Sequence, residues 1–252
     1  MLNIGWFSTG RDEAARQLLQ AVQDKIYNGD INVEIGFVFS NREPGETKES
    51  DLFFELVRSY NIPLVCLSHK RFRTGGEEKD WRIKYDREVN NKIESFAPDL
   101  CVLAGYMLIV SEELCHKYDM INLHPAPPGG PTGSWQEVIW TLIQNKAETA
   151  GAMMHLVTPE LDRGPVISYC LFSIKDEPFT GYWQRDNKTM LFRLIRQYEL
   201  AREFPLIILT LQALGRGEVC IKDKGVIDEQ GKSISGYDLS GKLDDEVKKS
   251  LK

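Results

Sequence analysis

Apolar residues in this chain fall into short runs separated by stretches of helical period, an alternation that predicts strand, helix, strand. Residues 2–7 are a short β-compatible run closed by Ser8-Thr9-Gly10, and Asp12-Glu13 opens a stretch with Ala15, Leu18, Leu19, Val22 and Ile26 at helical spacing. A second strand is predicted over 32–39, a charged loop with Pro44 and Gly45 over 43–51, a helix over 51–60 and a short strand over 63–67. His69 then falls in a surface loop, and Gly75-Gly76 predicts flexible chain ahead of a helix over 79–96. Pro98-Asp99 leads into the nearly continuous apolar run 100–104, suited to the middle of a parallel sheet. A short helix near 111–117 carries an exposed His116; a helix over 135–145 and strands over 150–157 and 166–174 follow. The last helix, over 189–214, contains Pro205, which must kink it, start a second helix or break it. The sum is one doubly wound α/β domain with a mostly parallel sheet over 1–230, and a polar tail over 231–252, frayed or loosely helical at its end.

Composition narrows the class. The 252 residues are 42% hydrophobic and 27% charged with a net charge of −6, so no general basic footprint suggests nucleic acid. The short basic run Lys70-Arg71-Phe72-Arg73 is either a solvated loop or a phosphate contact. Five scattered cysteines show neither a disulfide framework nor metal-ligand spacing, so no metal is expected. The N-terminus has no basic region before its short apolar run, and no run approaches the roughly 20 residues needed to span a bilayer. A cytoplasmic protein without membrane contact is the expectation.

Candidate chemistry concentrates in one stretch. Residues 121–131 begin as an apolar strand and break into prolines and glycines. Asn122 and His124, two apart, point to one side of an extended segment and leave the carboxyl end of the strand together, where open α/β sheets place ligands. Asp162 lies in another Gly/Pro-punctuated turn, and the three are expected to meet. A carboxylate beside the imidazole favours its charged form, and imidazolium and amide together would stabilise an oxyanion on an attacked carbonyl. No Ser or Cys stands at a strand-to-helix elbow beside them, so attack by a substrate nucleophile fits better than an acyl-enzyme. The residues alone leave open the plainer alternative, polar side chains satisfying loop backbone. Near Gly10, a phosphate cradle and a simple capped helix entry are likewise both open.

Several segments together resemble the folate-dependent formyltransferase family: 98–107, with Ala104-Gly105-Tyr106-Met107; Asn122-Leu123-His124-Pro125; and Leu161-Asp162-Arg163-Gly164-Pro165. Phe39-Ser40-Asn41, the run 82–88, Gly151 with His155, and Phe204-Pro205-Leu206 add to the likeness, which covers roughly residues 1–230. The resemblance implies a Rossmann-like formyltransferase fold and transfer of a formyl group from the cosubstrate 10-formyltetrahydrofolate to a small-molecule primary amine. Among members it points to those acting on glycinamide ribonucleotide in purine biosynthesis. Asn122 and His124 would bind the formyl oxygen, with His124 as general acid, while Asp162 would hold His124 charged and relay a proton. Arg82, Met107, Leu108, Ile109, Val110, Thr158, Pro159 and Glu160 would contact the folate, and Gly10, Arg11 and Asp12 the acceptor. His155 either supports the site from behind or is a satisfied core histidine.

The chain also departs from the family pattern. Gly10-Arg11-Asp12-Glu13 stands where a glycine-serine-asparagine phosphate loop is usual, and Leu108 where an arginine is usual. Ala126-Pro127-Pro128-Gly129 replaces Ser-Leu-Leu-Pro, and Glu199 sits one residue off the family's nucleotide-contacting glutamate. Leu108 lies in the folate segment, whereas the changes at 10–13 and near Glu199 fall on the acceptor side. Formyl transfer to another amine, such as an amino sugar nucleotide, and a folate-binding protein without turnover are therefore the competing readings. The tRNA- and water-directed branches fit less well, since the chain opens directly on its first strand and no basic RNA-binding extension is expected. A homodimer remains open.

Overall fold

The computed structural model describes residues 1–73 and 81–250, with nothing said of the side chains of 245, 246 and 248–250. Gly75-Gly76 and the start of the helix expected from 79 lie outside the described residues. The chain has the expected mostly parallel sheet flanked by helices, and it forms two compact units.

The first unit holds Met1–Asn122 with Val157–Pro159. Its elements run β1 Leu2–Phe7, α1 Glu13–Tyr27, β2 Val33–Ser40, α2 Lys48–Ser59, β3 Leu64–Cys66, α3 His69–Phe72, α4 Trp81–Ile93, β4 Leu100–Leu103, α5 Glu112–Lys117 and the start of β5 Met120–His124. The strands are parallel, in the order β5-β4-β1-β2-β3. This follows from the nearly all-apolar strands: β4 is buried at every position, as a strand covered on both faces must be. Helix starts are fixed locally. The Asp12 carboxylate accepts the Ala15 N–H at 3.1 Å, and the Thr47 hydroxyl accepts the Ser50 N–H at 3.2 Å. That cap starts α2 at Lys48, inside the stretch expected to be loop. His69 opens α3 and is only part-buried, its Nδ1 2.9 Å from the Asn41 carbonyl. Arg71 of the basic run pairs with Glu43.

The second unit holds Leu123–Leu156 and the chain from Glu160. It contains the end of β5, then α6 Trp135–Gln144, β6 Thr149–Leu156, β7 Val166–Ser173, α7 Thr180–Gln184, α8 Lys188–Gly215, β8 Val219–Lys222, β9 Gly225–Asp228, β10 Tyr237–Asp238 and α9 Ser240–Ser250. β6 and β7 are antiparallel, and β10 adds in parallel to the far edge of β7. Helix α8 runs unbroken through Pro205. The proline removes one internal hydrogen bond, but Leu206, Ile207 and Leu211 beyond it are fully buried, and that packing holds the helix on its course. Among the described residues, no helix is long and apolar enough to cross a membrane.

The region after 230 departs from the expected loose tail. Tyr237 and Asp238 pair with Ser168 and Tyr169 of β7, and Leu239 just before α9 and Leu243 and Val247 within it are buried at helical spacing. The nearly buried Arg202 guanidinium donates to Asp244 at 2.7 Å and lies 4.5 Å over the Phe172 ring. Charges between these apolar positions hid the pattern. Leu243→Ala should therefore lower unfolding free energy by about 2–5 kcal/mol in urea denaturation. A change within about 0.5 kcal/mol would mean that the segment is a loose tail after all.

Candidate functional site

The site grows from the end of β5. Asn122 lies part-buried two residues before His124, and the strand gives way at once to the Pro/Gly loop. The Gly130 N–H donates to the Pro127 carbonyl at 2.9 Å, closing a tight turn with Gly129 at φ +71°. The loop ends at Gly133 (φ +103°), after which Ser134 and Glu137 form a capping box that starts α6.

His124 is buried, and its Nε2 lies 3.1 Å from the Pro131 carbonyl. A carbonyl only accepts, so this contact assigns the ring hydrogen to Nε2. Nδ1 faces Asp162 Oδ2 at 3.7 Å, an ion-pair distance longer than a hydrogen bond. Asp162 itself takes the left-handed conformation (φ +55°), which a short polar residue tolerates. Its Oδ2 accepts the Gly133 N–H at 3.1 Å, and its Oδ1 faces His155 Nε2 at 3.7 Å. His155 sits where the β6–β7 register slips, and its Nδ1 donates to the Leu156 carbonyl at 2.8 Å. One carboxylate thus lies between two buried imidazoles.

The electrostatics differ from the expectation for His124. Burial pushes its pKa down; the Pro131 contact and the Asp162 charge push up, as anticipated, but do not outweigh burial. The neutral imidazole is therefore the form favoured at neutral pH. Asp162 is held below the usual carboxylate range. Burial acts against this, but His155, the Gly133 N–H and the charge on His124 prevail.

Of the expected trio, His124 and Asp162 come together, Asn122 lies two residues before His124 on β5, and His155 joins Asp162. The Gly133 amide and the Pro131 carbonyl were not anticipated. Backbone partners have no residue-type signal, although a glycine directly ahead of a Ser-x-x-Glu capping box could have drawn notice.

The acceptor and folate candidates occupy the first unit, apart from Glu160, which belongs to the second. Gly10 has φ +58°, and its N–H donates to the Ser8 hydroxyl at 3.2 Å. Arg11 donates to the Met107 sulfur at 3.1 Å and pairs with Asp12, whose carboxylate already caps α1. Met107 and Ile109 are exposed, whereas Val110 is buried. The Arg82 guanidinium lies 4.4 Å over the Trp81 ring, and its Nη1 is buried without a hydrogen-bond partner.

The family profile described as formyl transferase matches residues 12–177. The chain belongs to the formyl transferase family. Phosphoribosylglycinamide formyltransferase of Escherichia coli (strain K12) is 34% identical over 156 residues, 59% of this chain and 64% of that protein. Formyltetrahydrofolate deformylase of Haemophilus influenzae is 31% identical over 149 residues, 57% of this chain and 46% of that protein. The chain thus spans less than two thirds of the length of either relative. The structure of phosphoribosylglycinamide formyltransferase from Coxiella burnetii shares the fold, with a TM-score of 0.73 at 23% identity over 94% of this chain and 98% of that one. Asn122, His124 and Asp162 all fall within the matched residues 12–177.

A histidine kept neutral by burial makes a pH prediction. NMR titration of the His124 ring should give a pKa below its ordinary value of about 6.5, and Asp162→Asn should lower it further, because the facing anion is removed. A wild-type value at or above the ordinary one would refute the dominance of burial. Because the folded protein disfavours the charged ring, stability is fully present above the ordinary pKa and falls as pH drops through the lowered value. The Asp162 contribution is lost only lower, as pH falls below the ordinary carboxylate pKa and through its depressed value.

Proposed function

We propose that this formyl transferase family member moves the formyl group of 10-formyltetrahydrofolate onto a primary amine, with glycinamide ribonucleotide, an intermediate of purine biosynthesis, as the acceptor, in the cytoplasm. The observation that carries the reading is the buried His124–Asp162 pair, reached from Asn122 along one strand, inside the family match. The names of the similar proteins, phosphoribosylglycinamide formyltransferase and formyltetrahydrofolate deformylase, both point to attack on a formyl carbonyl.

In this reading the acceptor nitrogen attacks the formyl carbon, and the carbonyl oxygen becomes an oxyanion. The Asn122 amide and the His124 Nε2–H donate to it, Nε2 exchanging the Pro131 carbonyl for the new oxygen. The attacking nitrogen gives up one proton, the donor nitrogen of the folate gains one, and the bond between formyl carbon and folate nitrogen breaks. Asp162 accepts and passes on that proton as the one carboxylate within reach of both imidazoles. A neutral ring suits the task, since its free Nδ1 can take up a proton at neutral pH. The folate is assigned to residues 107–110 and 158–160 with Arg82, and the acceptor to Gly10, Arg11 and Asp12. Exposed apolar Met107 and Ile109 suit a flat ring, and the unpartnered Nη1 of Arg82 can donate to one of its oxygens.

A specific observation favours a second acceptor. Asp12 occupies the α1 N-terminus with its own carboxylate, and Glu13 follows, so a phosphate would meet negative charge there. An acceptor that brings no phosphate monoester to α1, such as an amino sugar nucleotide, avoids this.

Spectrophotometric turnover of 10-formyltetrahydrofolate, with glycinamide ribonucleotide and with acceptor omitted, tests the reading. Acceptor-dependent turnover is expected, falling about a hundredfold to a thousandfold in Asn122→Ala and in His124→Ala. Turnover without acceptor would make water the nucleophile, and no folate binding at all would end the proposal. Folate binding without turnover on the ribonucleotide would move the acceptor to the second reading.

A further inference from the structure

The chain leaves β1 toward β2 and β3 on one side and returns to β4 on the other, so the loops after β1 and β4 flank a topological switch point. Ligands of open α/β sheets bind outside the carboxyl ends of the strands at such a point. The loop after β4 alternates there. Tyr106 and Val110 are buried and Leu108 packs on the core, while Met107 and Ile109, between them, are 51% and 55% exposed. Two large apolar side chains are thus held toward solvent between buried or core-packed neighbours. Left to itself, such a segment would turn them inward.

Two side chains from distant parts of the unit prevent that. At one end the buried Thr9 hydroxyl, just after β1, accepts the Met107 N–H at 2.9 Å, beside a bond from the Thr9 N–H to the Gly105 carbonyl at 3.1 Å. At the other, the Asp86 carboxylate on α4 accepts the Ser111 N–H at 2.6 Å. Asp86 is 2% exposed, on the buried face of α4 with Tyr85, Val89 and Ile93, so its oxygen cannot wander. Tyr85 adds a third tie, donating its hydroxyl to the Leu67 carbonyl at 2.6 Å and fixing α4 against the exit of β3. The amides of the first and last residues of 107–111 are both gripped by buried acceptors, and the apolar pair projects between the grips.

We infer that Thr9 and Asp86 are positioning residues: by clamping the Met107 and Ser111 amides they hold Met107 and Ile109 outward as an apolar rim for the flat ring of the formyl donor. The inference rests on the proposed folate reading for the identity of that ring. It assigns neither residue a part in the chemistry, so the effect of losing the clamp lies in donor binding and not in turnover at saturation.

The test has two independent readouts: amide hydrogen exchange at Met107 and Ser111 in the ligand-free protein, and the dissociation constant for tetrahydrofolate by calorimetry. Thr9→Val keeps the shape and removes the acceptor; Asp86→Ala removes the other; Asp86→Asn retains an oxygen that can accept. Exchange at Met107 in Thr9→Val and at Ser111 in Asp86→Ala should quicken at least tenfold, with tetrahydrofolate binding weakened about tenfold. Asp86→Asn should return to within about threefold of wild type in both, and kcat at saturating 10-formyltetrahydrofolate should stay within about threefold throughout. Unchanged exchange, or faster exchange with unchanged affinity, overturns the clamp, as does an equal loss of kcat. If Asp86→Ala does not fold, Thr9→Val and Asp86→Asn decide it alone. A wild-type protein that does not bind tetrahydrofolate overturns the folate reading instead, and the clamp is then judged on exchange.

Discussion

A buried carboxylate between two buried imidazoles is the constraint on which the second unit depends. Three titratable groups out of water are costly unless each finds a partner, and a single unpaired charge there would cost more than the local packing returns. The chain meets this with backbone. Gly133 gives its N–H to Asp162, Pro131 its carbonyl to His124, and Leu156 its carbonyl to His155. Each of these backbone groups lies at a joint of the fold: ahead of the α6 cap, within the Pro/Gly loop, or at the end of β6. The loop composition follows from that duty. A chain that must turn sharply and point both an amide and a carbonyl inward needs positive φ at Gly129 and Gly133 and rigidity between them. The same burial decides the chemistry, since it keeps His124 neutral in spite of its anionic neighbour. A neutral ring can donate from one nitrogen and receive at the other, which a permanently charged ring could not.

Much of this was legible in the residues, and the reasons differ from part to part. Strands such as β4 read clearly because burial on both faces demands unbroken apolar runs, and α1 because its apolar residues keep helical spacing. The pairing of His124 with Asp162 was foreseeable because each sits where a strand or turn breaks into Gly/Pro, the places a fold leaves open for chemistry. What could not be read were effects that depend on depth. The direction of the His124 shift is a contest between burial and a neighbouring charge, and sequence reports only the charge. Thr9 and Asp86 were equally silent, since a buried acceptor for a distant amide looks like any helix or loop residue until the chain is folded.

The C-terminal region failed for a different reason. Leu239, Leu243 and Val247 keep a strict four-residue spacing, yet three apolar residues among many charges fall below what periodicity can distinguish from a solvated tail. Their burial is made worthwhile by features elsewhere in the chain: the open edge of β7, which β10 covers, and the Arg202 guanidinium, which needs Asp244. Pro205 is the converse case, where local chemistry argued for a kink, a second helix start or a break, and tertiary packing keeps the helix continuous.

The loop proposed for the acceptor ends on a helix terminus that is already satisfied. A helix N-terminus carries unpaired N–H groups and a partial positive charge, and either a side-chain carboxylate or a ligand anion can satisfy them. In this chain the carboxylate is built in: Asp12 takes the Ala15 N–H, and Arg11 is turned toward Asp12 and the Met107 sulfur. The Gly10 N–H is held by Ser8. An incoming dianion would have to displace these contacts and accept the repulsion of Asp12 and Glu13, with the exposed Arg11 as an adjacent cation to offset it. Nothing comparable burdens His124 and Asp162, which lie in the other unit and share no side chain with this loop. On the proposed reading, the groups assigned to the carbonyl and the loop assigned to the acceptor are different side chains, so substitutions at 10–13 are the ones expected to change the amine.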